Sequence, residues 1–234
     1  GVFLIDLKTG KSRLILSMEQ IWEFSGRYFG NKDQKLVINH ITFNTDGSRF
    51  LLLVRNFPEP GQKHVTAVIT ANTDGSDMYL LSDYGTQSHY HWKDEKHVIF
   101  FAGGRELECA RGWGNNYIMT DKTHEGYVIA DYFFNDDNHM SFSPDRKLLL
   151  TDSYPDDKSM QDLRIYNFET NTCVNLGRFY AIPRKIIDLR CDLHPRWDRT
   201  GQRISFDSTH EGQRGVYMID IEDVREDLFN PEVL

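Results

Sequence analysis

The sequence predicts an all-β chain, folded as a β-propeller of four-stranded blades, and three observations predict it. A motif recurs four times along the 234 residues with a period near 50, the spacing of propeller-like arrays. Each copy runs through a polar turn into an apolar strand, the signature of a hairpin. Helical periodicity is nearly absent, and aromatic residues make up 13% of the chain, which suits sheets packed tightly face to face.

The motif is marked by a histidine three residues before an aromatic. Its copies are Asn39-His40-Ile41-Thr42-Phe43, Ser88-His89-Tyr90-His91-Trp92, Asn138-His139-Met140-Ser141-Phe142 and Leu193-His194-Pro195-Arg196-Trp197, with histidines 49, 50 and 55 residues apart. A hairpin turn follows each aromatic: Asn44-Thr45-Asp46-Gly47, Lys93-Asp94-Glu95-Lys96, Ser143-Pro144-Asp145-Arg146 and Asp198-Arg199-Thr200-Gly201. The second strands are then Phe50–Val54, Val98–Phe101, Leu148–Leu150 and Ile204–Phe206. Third strands are expected at Val65–Thr70, Asn116–Thr120, Asp162–Asn167 and Gly215–Ile219, and fourth strands at Met78–Leu81 and Cys173–Leu176. Glu19–Tyr28 is the best helical candidate.

These elements give one propeller domain over residues 1–234, with a half blade at 1–17 and blades at 36–83, 87–131, 137–179 and 190–222. The half blade is read as third and fourth strands, because Gly1-Val2-Phe3-Leu4-Ile5-Asp6 parallels Gly215-Val216-Tyr217-Met218-Ile219-Asp220. The last blade stops after its third strand. About four and a half blades are therefore expected, either closing as a small five-bladed ring with mixed-end blades or, the favoured expectation, forming a fragment of a six- to eight-bladed ring.

Bulk properties exclude some functions. The net charge is −8 and the isoelectric point about 5.6, against a nucleic-acid partner, whose phosphates need concentrated Lys and Arg. No apolar run of about 18 residues is present to insert in a membrane as a helix. Local basic groups, Arg184-Lys185 and Arg190, suit a small anion. Three cysteines, Cys109, Cys173 and Cys191, make no disulfide framework; they read most simply as ordinary thiols, with room for one bridge.

Rotational repetition carries equivalent residues to a common axis. His40, His89, His139 and His194 are therefore candidate ligands of a divalent metal (Zn, Mn, Fe, Ni or Cu, the geometry choosing among them), with Gln87, His91 and Cys191 as additional candidates. A histidine at this position also fits a simpler role, hydrogen-bonding a neighbouring blade and stapling the ring. The second strand of each blade returns to the same rim. Twelve residues past each aromatic lie Arg55, Gly104, Tyr154 and Thr209, with Arg105, Asp152, Asp156, Asp207, His210 and Arg214 nearby. Such a rim suits an anionic ligand. Arg55 and Tyr154 are candidates to neutralise a carboxylate and move a proton. Asp192 and Arg196 either pair with each other or orient His194. Ser208 and His210 lack a nucleophile elbow, so serine catalysis is not expected.

The Ser-Pro-Asp and Thr-Asp-Gly turns after a short aromatic strand resemble TolB-like propeller repeats across essentially the whole chain. The histidine-bearing strands Gln87-Ser88-His89-Tyr90-His91-Trp92 and Asp192-Leu193-His194-Pro195-Arg196-Trp197 resemble those of seven-bladed polysaccharide lyases of the oligogalacturonide and ulvan type. That resemblance implies a seven-bladed ring, an axial manganese held by histidines and a glutamine, and an acidic oligo- or polysaccharide as partner. It implies β-elimination: a metal with Arg55 neutralises the uronate carboxylate, and His210, Tyr154 or a residue outside this chain removes the C5 proton. The alternative is a non-catalytic TolB-like propeller that binds a ligand or a protein.

Overall fold

The four repeated turns close on the same physical device. In each, an aspartate carboxylate accepts backbone N–H groups just ahead of it: Asp46 from Ser48, Asp94 from Lys96 and His97, Asp145 from Lys147, and Asp198 from Gln202 and Arg203. This side-chain mimicry of a turn explains why Asp recurs there. Arg146 stands where two other copies carry Gly, and it adopts φ +62°.

The computed structural model describes residues 1–26, 29, 35–57, 65–103, 114–130, 132–134, 136–183 and 190–229. Gly104, Arg105, Cys109, Arg184, Lys185 and the end of the expected helix at Tyr28 lie outside the described residues. The chain divides into two compact units, Gly1–Ser88 with Trp92–Ile129, and Ala130–Leu234 with His89–His91.

The first unit opens with a two-stranded sheet, β1 (Val2–Ile5) and β2 (Ser12–Leu16), followed by helix α1 (Met18–Ser25). A capping box starts α1: Gln20 N–H donates to Ser17 Oγ at 3.0 Å, and Ser17 N–H donates to Gln20 Oε1 at 2.8 Å. Four strands, β3 (Lys35–Phe43), β4 (Arg49–Phe57), β5 (Thr66–Asn72) and β6 (Tyr79–Gly85), form one antiparallel sheet in chain order. A second such sheet follows, β7 (Gln87–Trp92, of which His89–His91 are assigned to the second unit), β8 (His97–Ala102), β9 (Asn115–Thr120) and β10 (Gly126–Ile129). Val2, Leu16 and Ile21 pack with Phe50, Leu52, Val54 and Ile69 in one core, so β1–β2 and α1 are anchored on the first full sheet by apolar burial.

Strands β11 (Met140–Phe142), β12 (Leu148–Asp152), β13 (Met160–Asn167) and β14 (Thr172–Tyr180) build the first sheet of the second unit. β15 (Arg196–Trp197), β16 (Arg203–Ser208) and β17 (Gly215–Asp220) form a three-stranded sheet. Leu148, Leu150, Leu163 and Ile165 share a core with Leu193, Ile204, Phe206 and Leu228. Leu228 belongs to a helix absent from the sequence reading, α2 (Glu222–Phe229). Its charged sequence hides the amphipathic pattern, and its Leu228 carbonyl accepts from Asn167 Nδ2 at 2.9 Å.

The repeated aromatic has a structural use. Trp92 Nε1 donates to Thr42 O at 3.3 Å, and Trp197 Nε1 donates to Ser141 O at 3.0 Å. Each indole thus reaches the carbonyl just before the aromatic of the preceding copy and ties two inner strands together. Phe43 and Phe142 occupy the same position without a donor. Trp197→Phe keeps most of the ring and loses the bond. It should destabilise by about 1 kcal/mol in chemical denaturation, and no measurable change would show that the indole N–H is immaterial.

Candidate functional site

Three of the four repeated histidines come together in the second unit. The ring centroids of His89 and His139 are 4.1 Å apart, and those of His139 and His194 are 3.9 Å apart. His139 immediately precedes β11 and His194 stands two residues before β15, whereas His89 lies within β7. His40 belongs to the first unit. It is exposed at a bulge of β3 with φ +51°. His194 shares that left-handed backbone, with φ +41°, an uncommon state for a residue with a Cβ.

Carboxylates organise the row. His89 Nδ1 lies 3.0 Å from Asp137 Oδ1. Asp152, whose side chain is 1% exposed, accepts from His139 N at 2.8 Å and from His194 N at 3.0 Å, and its Oδ2 lies 2.9 Å from His139 Nδ1. Asp192 forms an ion pair with Arg190, with Nη2 to Oδ2 at 2.8 Å. The guanidinium of Arg190 sits over the Tyr154 ring, 4.4 Å from its centroid. Tyr154 in turn stands 5.7 Å from His139 and 6.3 Å from His89, ring to ring. Asp192 does not pair with Arg196, which instead bonds Asp207 at 2.7 Å.

The electrostatics separate these groups. Burial alone would lower the pKa of His139. The hydrogen bond and charge of Asp152, with Asp192 and Asp137 behind them, outweigh burial and raise it. His194 moves the other way, lowered by burial and then by the neighbouring His139 charge. Burial chiefly, and then the charge of Asp137, raises the Tyr154 phenol, so Tyr154 keeps its proton at neutral pH.

His139, Asp192 and His194 each offer a ligand atom, and these atoms all lie within 4.8 Å of one another. Two imidazoles and a carboxylate are donors that suit Mn or Zn. With Nδ1 of His139 engaged by Asp152, its Nε2 is the nitrogen left for an ion. That is the carboxylate–histidine arrangement of metal sites, so the residues fit a divalent metal.

The other candidates lie elsewhere. Gln87 and Arg55 are in the first unit. Gln87 is buried, with Nε2 donating to Ser82 Oγ at 2.5 Å, and its carbonyl accepts from Arg55 Nη2 at 3.4 Å. His91 packs 5.8 Å from Phe142, ring to ring. Cys191 is a buried free thiol directed at Asp192 O, and Cys173 is also free. His210 is held between Phe179 and Tyr217, with Nδ1 2.9 Å from Ser208 Oγ. Thr209 Oγ1 accepts from Ile182 N at 3.0 Å, and Asp156 pairs with Arg178.

Sequence reasoning passed over Asp137. A signal was present: Asp137-Asn138-His139 and Asp192-Leu193-His194 share an Asp two residues before the histidine. Asp137 serves not its own His139 but His89, one copy earlier, and that exchange is invisible without the fold.

No family model matches the chain, and no curated protein matches it. Solved structures do. An oligogalacturonate lyase in complex with manganese superposes with a TM-score of 0.62 at 11% identity, over 94% of this chain and 57% of that one. TolB from Acinetobacter baumannii gives 0.59 at 14% identity, over 94% of this chain and 46% of that one. An oligogalacturonate lyase from Vibrio parahaemolyticus gives 0.54 at 12%, over 95% and 72%. This chain thus spans about half the length of the first two. Identity this low carries the fold alone: the chain is a β-propeller, similar in its blades to TolB and to oligogalacturonate lyases.

Proposed function

We propose that the chain carries a divalent-metal site on His139, Asp192 and His194 and acts on acidic saccharides by β-elimination. The observation that carries this reading is the grouping of two imidazoles and a carboxylate beside Tyr154 and Arg190. A bound divalent ion would supply positive charge to a uronate carboxylate and make the C5 proton more acidic. Arg190 adds positive charge beside Tyr154. In this reading His89, whose Nδ1 lies 3.0 Å from Asp137, accepts the C5 proton. The C4–O bond breaks as the C4=C5 double bond forms. Tyr154, which keeps its proton, donates it to the departing oxygen. In this reading Tyr154 and His89 divide the acid and base roles, while Arg55 and His210 take no part.

The likeness to TolB supports a second reading, a non-catalytic ligand-binding propeller. One assay separates the two. The chain is incubated with pectate or ulvan oligosaccharides and Mn²⁺, and the ultraviolet absorbance of the unsaturated uronate is followed. Product should form, and Tyr154→Phe should reduce its rate about 100-fold or more with folding intact. No product from any uronate tried, with metal supplied, would leave the binding reading.

A further inference from the structure

We infer that Asp152 is the positioning residue of the candidate metal site, setting both the spacing and the proton placement of its two imidazoles. This rests on the metal reading above and deepens it. Asp152 ends β12, paired with Leu163 of β13, and its carboxylate is almost fully buried. It spends both oxygens on the two histidines. Oδ1 accepts from His139 N at 2.8 Å, Oδ2 accepts from His194 N at 3.0 Å, and both lie within 3.0 Å of His139 Nδ1.

Two consequences follow. First, one rigid planar group indexes the backbones of residues 55 positions apart in sequence. It also holds His194 at φ +41°, a conformation that persists only where surrounding bonds impose it. Second, a carboxylate offers no donor, so the neutral His139 ring carries its proton on Nδ1 and leaves Nε2 as its acceptor nitrogen. Both consequences prepare the site before any ion arrives. Asparagine is nearly isosteric but brings one acceptor oxygen and an NH₂ donor. It cannot accept from all three N–H groups, and its NH₂ favours the opposite tautomer, with the proton on Nε2.

Chelator-stripped wild type and Asp152→Asn are titrated with Zn²⁺ and with Mn²⁺ by calorimetry, alongside thermal melts. The ¹⁵N shifts of His139 in the metal-free wild type, followed up through pH until the ring is neutral, report which nitrogen holds the single proton. The inference expects Asp152→Asn to remain folded and bind metal about 10- to 100-fold more weakly, with the wild-type proton on Nδ1. A folded Asp152→Asn that binds as tightly as wild type overturns it, as does a neutral wild-type His139 ring with its proton on Nε2. If Asp152→Asn does not fold, the tautomer measurement decides. If wild type binds neither ion, the metal reading falls, and the tautomer alone shows whether Asp152 sets the proton on His139.

Discussion

Arg49→Met is expected to destabilise the first unit by about 3–5 kcal/mol, the cost of stranding a buried charge. Arg49 starts β4 and is the hub of a polar network under the sheet. Its Nε donates to Asp121 Oδ2 at 2.5 Å, Nη1 to Asn72 Oδ1 at 2.7 Å, and Nη2 to Thr70 Oγ1 at 3.0 Å. Thr70 Oγ1 donates in turn to Asp121 Oδ1 at 2.5 Å. The side chains of Arg49 and Asp121 are 11% and 4% exposed. Methionine matches much of the volume, so the loss measures charge and hydrogen bonding rather than a cavity. With Arg49 gone, Asp121 keeps only the threonine hydroxyl in a site that water barely reaches. Urea denaturation followed by circular dichroism reads the change. The double variant Arg49→Met/Asp121→Asn should recover part of the loss, because no charge is left unpaired. A single-variant loss below about 1 kcal/mol, the range of surface pairs, would mean the network is solvated and the burial argument wrong.

Gly75→Ala is the second large effect. Gly75 lies in the Asn72-Thr73-Asp74-Gly75 turn between β5 and β6 at φ +90°, and a Cβ there would stand 2.0 Å from the Ile15 carbonyl oxygen. The obstructing atom is backbone of β2, which is itself anchored in the core through Ile15 and Leu16. Neither strand can yield cheaply, so strain and clash together should cost about 3 kcal/mol. Gly47 provides the control. It lies in the equivalent turn between β3 and β4 at φ +73°, with nothing within 4 Å of a built Cβ. Gly47→Ala should therefore lose only the conformational part, about 1–2 kcal/mol. Equal losses at both positions would show that the approach of β2 to Gly75 carries no energetic weight.

Much of the blade architecture was legible because its signals are local. Asp46, Asp94, Asp145 and Asp198 bond N–H groups within five residues, so turn chemistry appears in the sequence at the place where it acts. The alternation of apolar strands with such turns then fixes hairpin order. Helix α2 was hidden for the opposite reason: its core contacts, Leu228 with the partly buried Val224 and Phe229, are interspersed with charged residues.

The candidate site was legible only as types of residue. Register in the repeat marked His89, His139 and His194, and counting along the strands brought Tyr154 and Asp152 to their neighbourhood. Which carboxylate serves which imidazole could not be read from spacing. Asp137 turns to His89 rather than to His139, Arg190 takes Asp192, and Asp152 gathers His139 and His194.

Sequence by itself determined the repeated strands, their turns and the recurrence of histidine, because backbone preference and hairpin closure depend on neighbours a few residues away. Tertiary structure alone decided the pairings, the proton-bearing nitrogen expected on His139 and the opposed pKa directions of His139 and His194. Those properties depend on burial and on charges from segments about 50 residues apart, and only packing of successive sheets brings such segments within hydrogen-bonding distance.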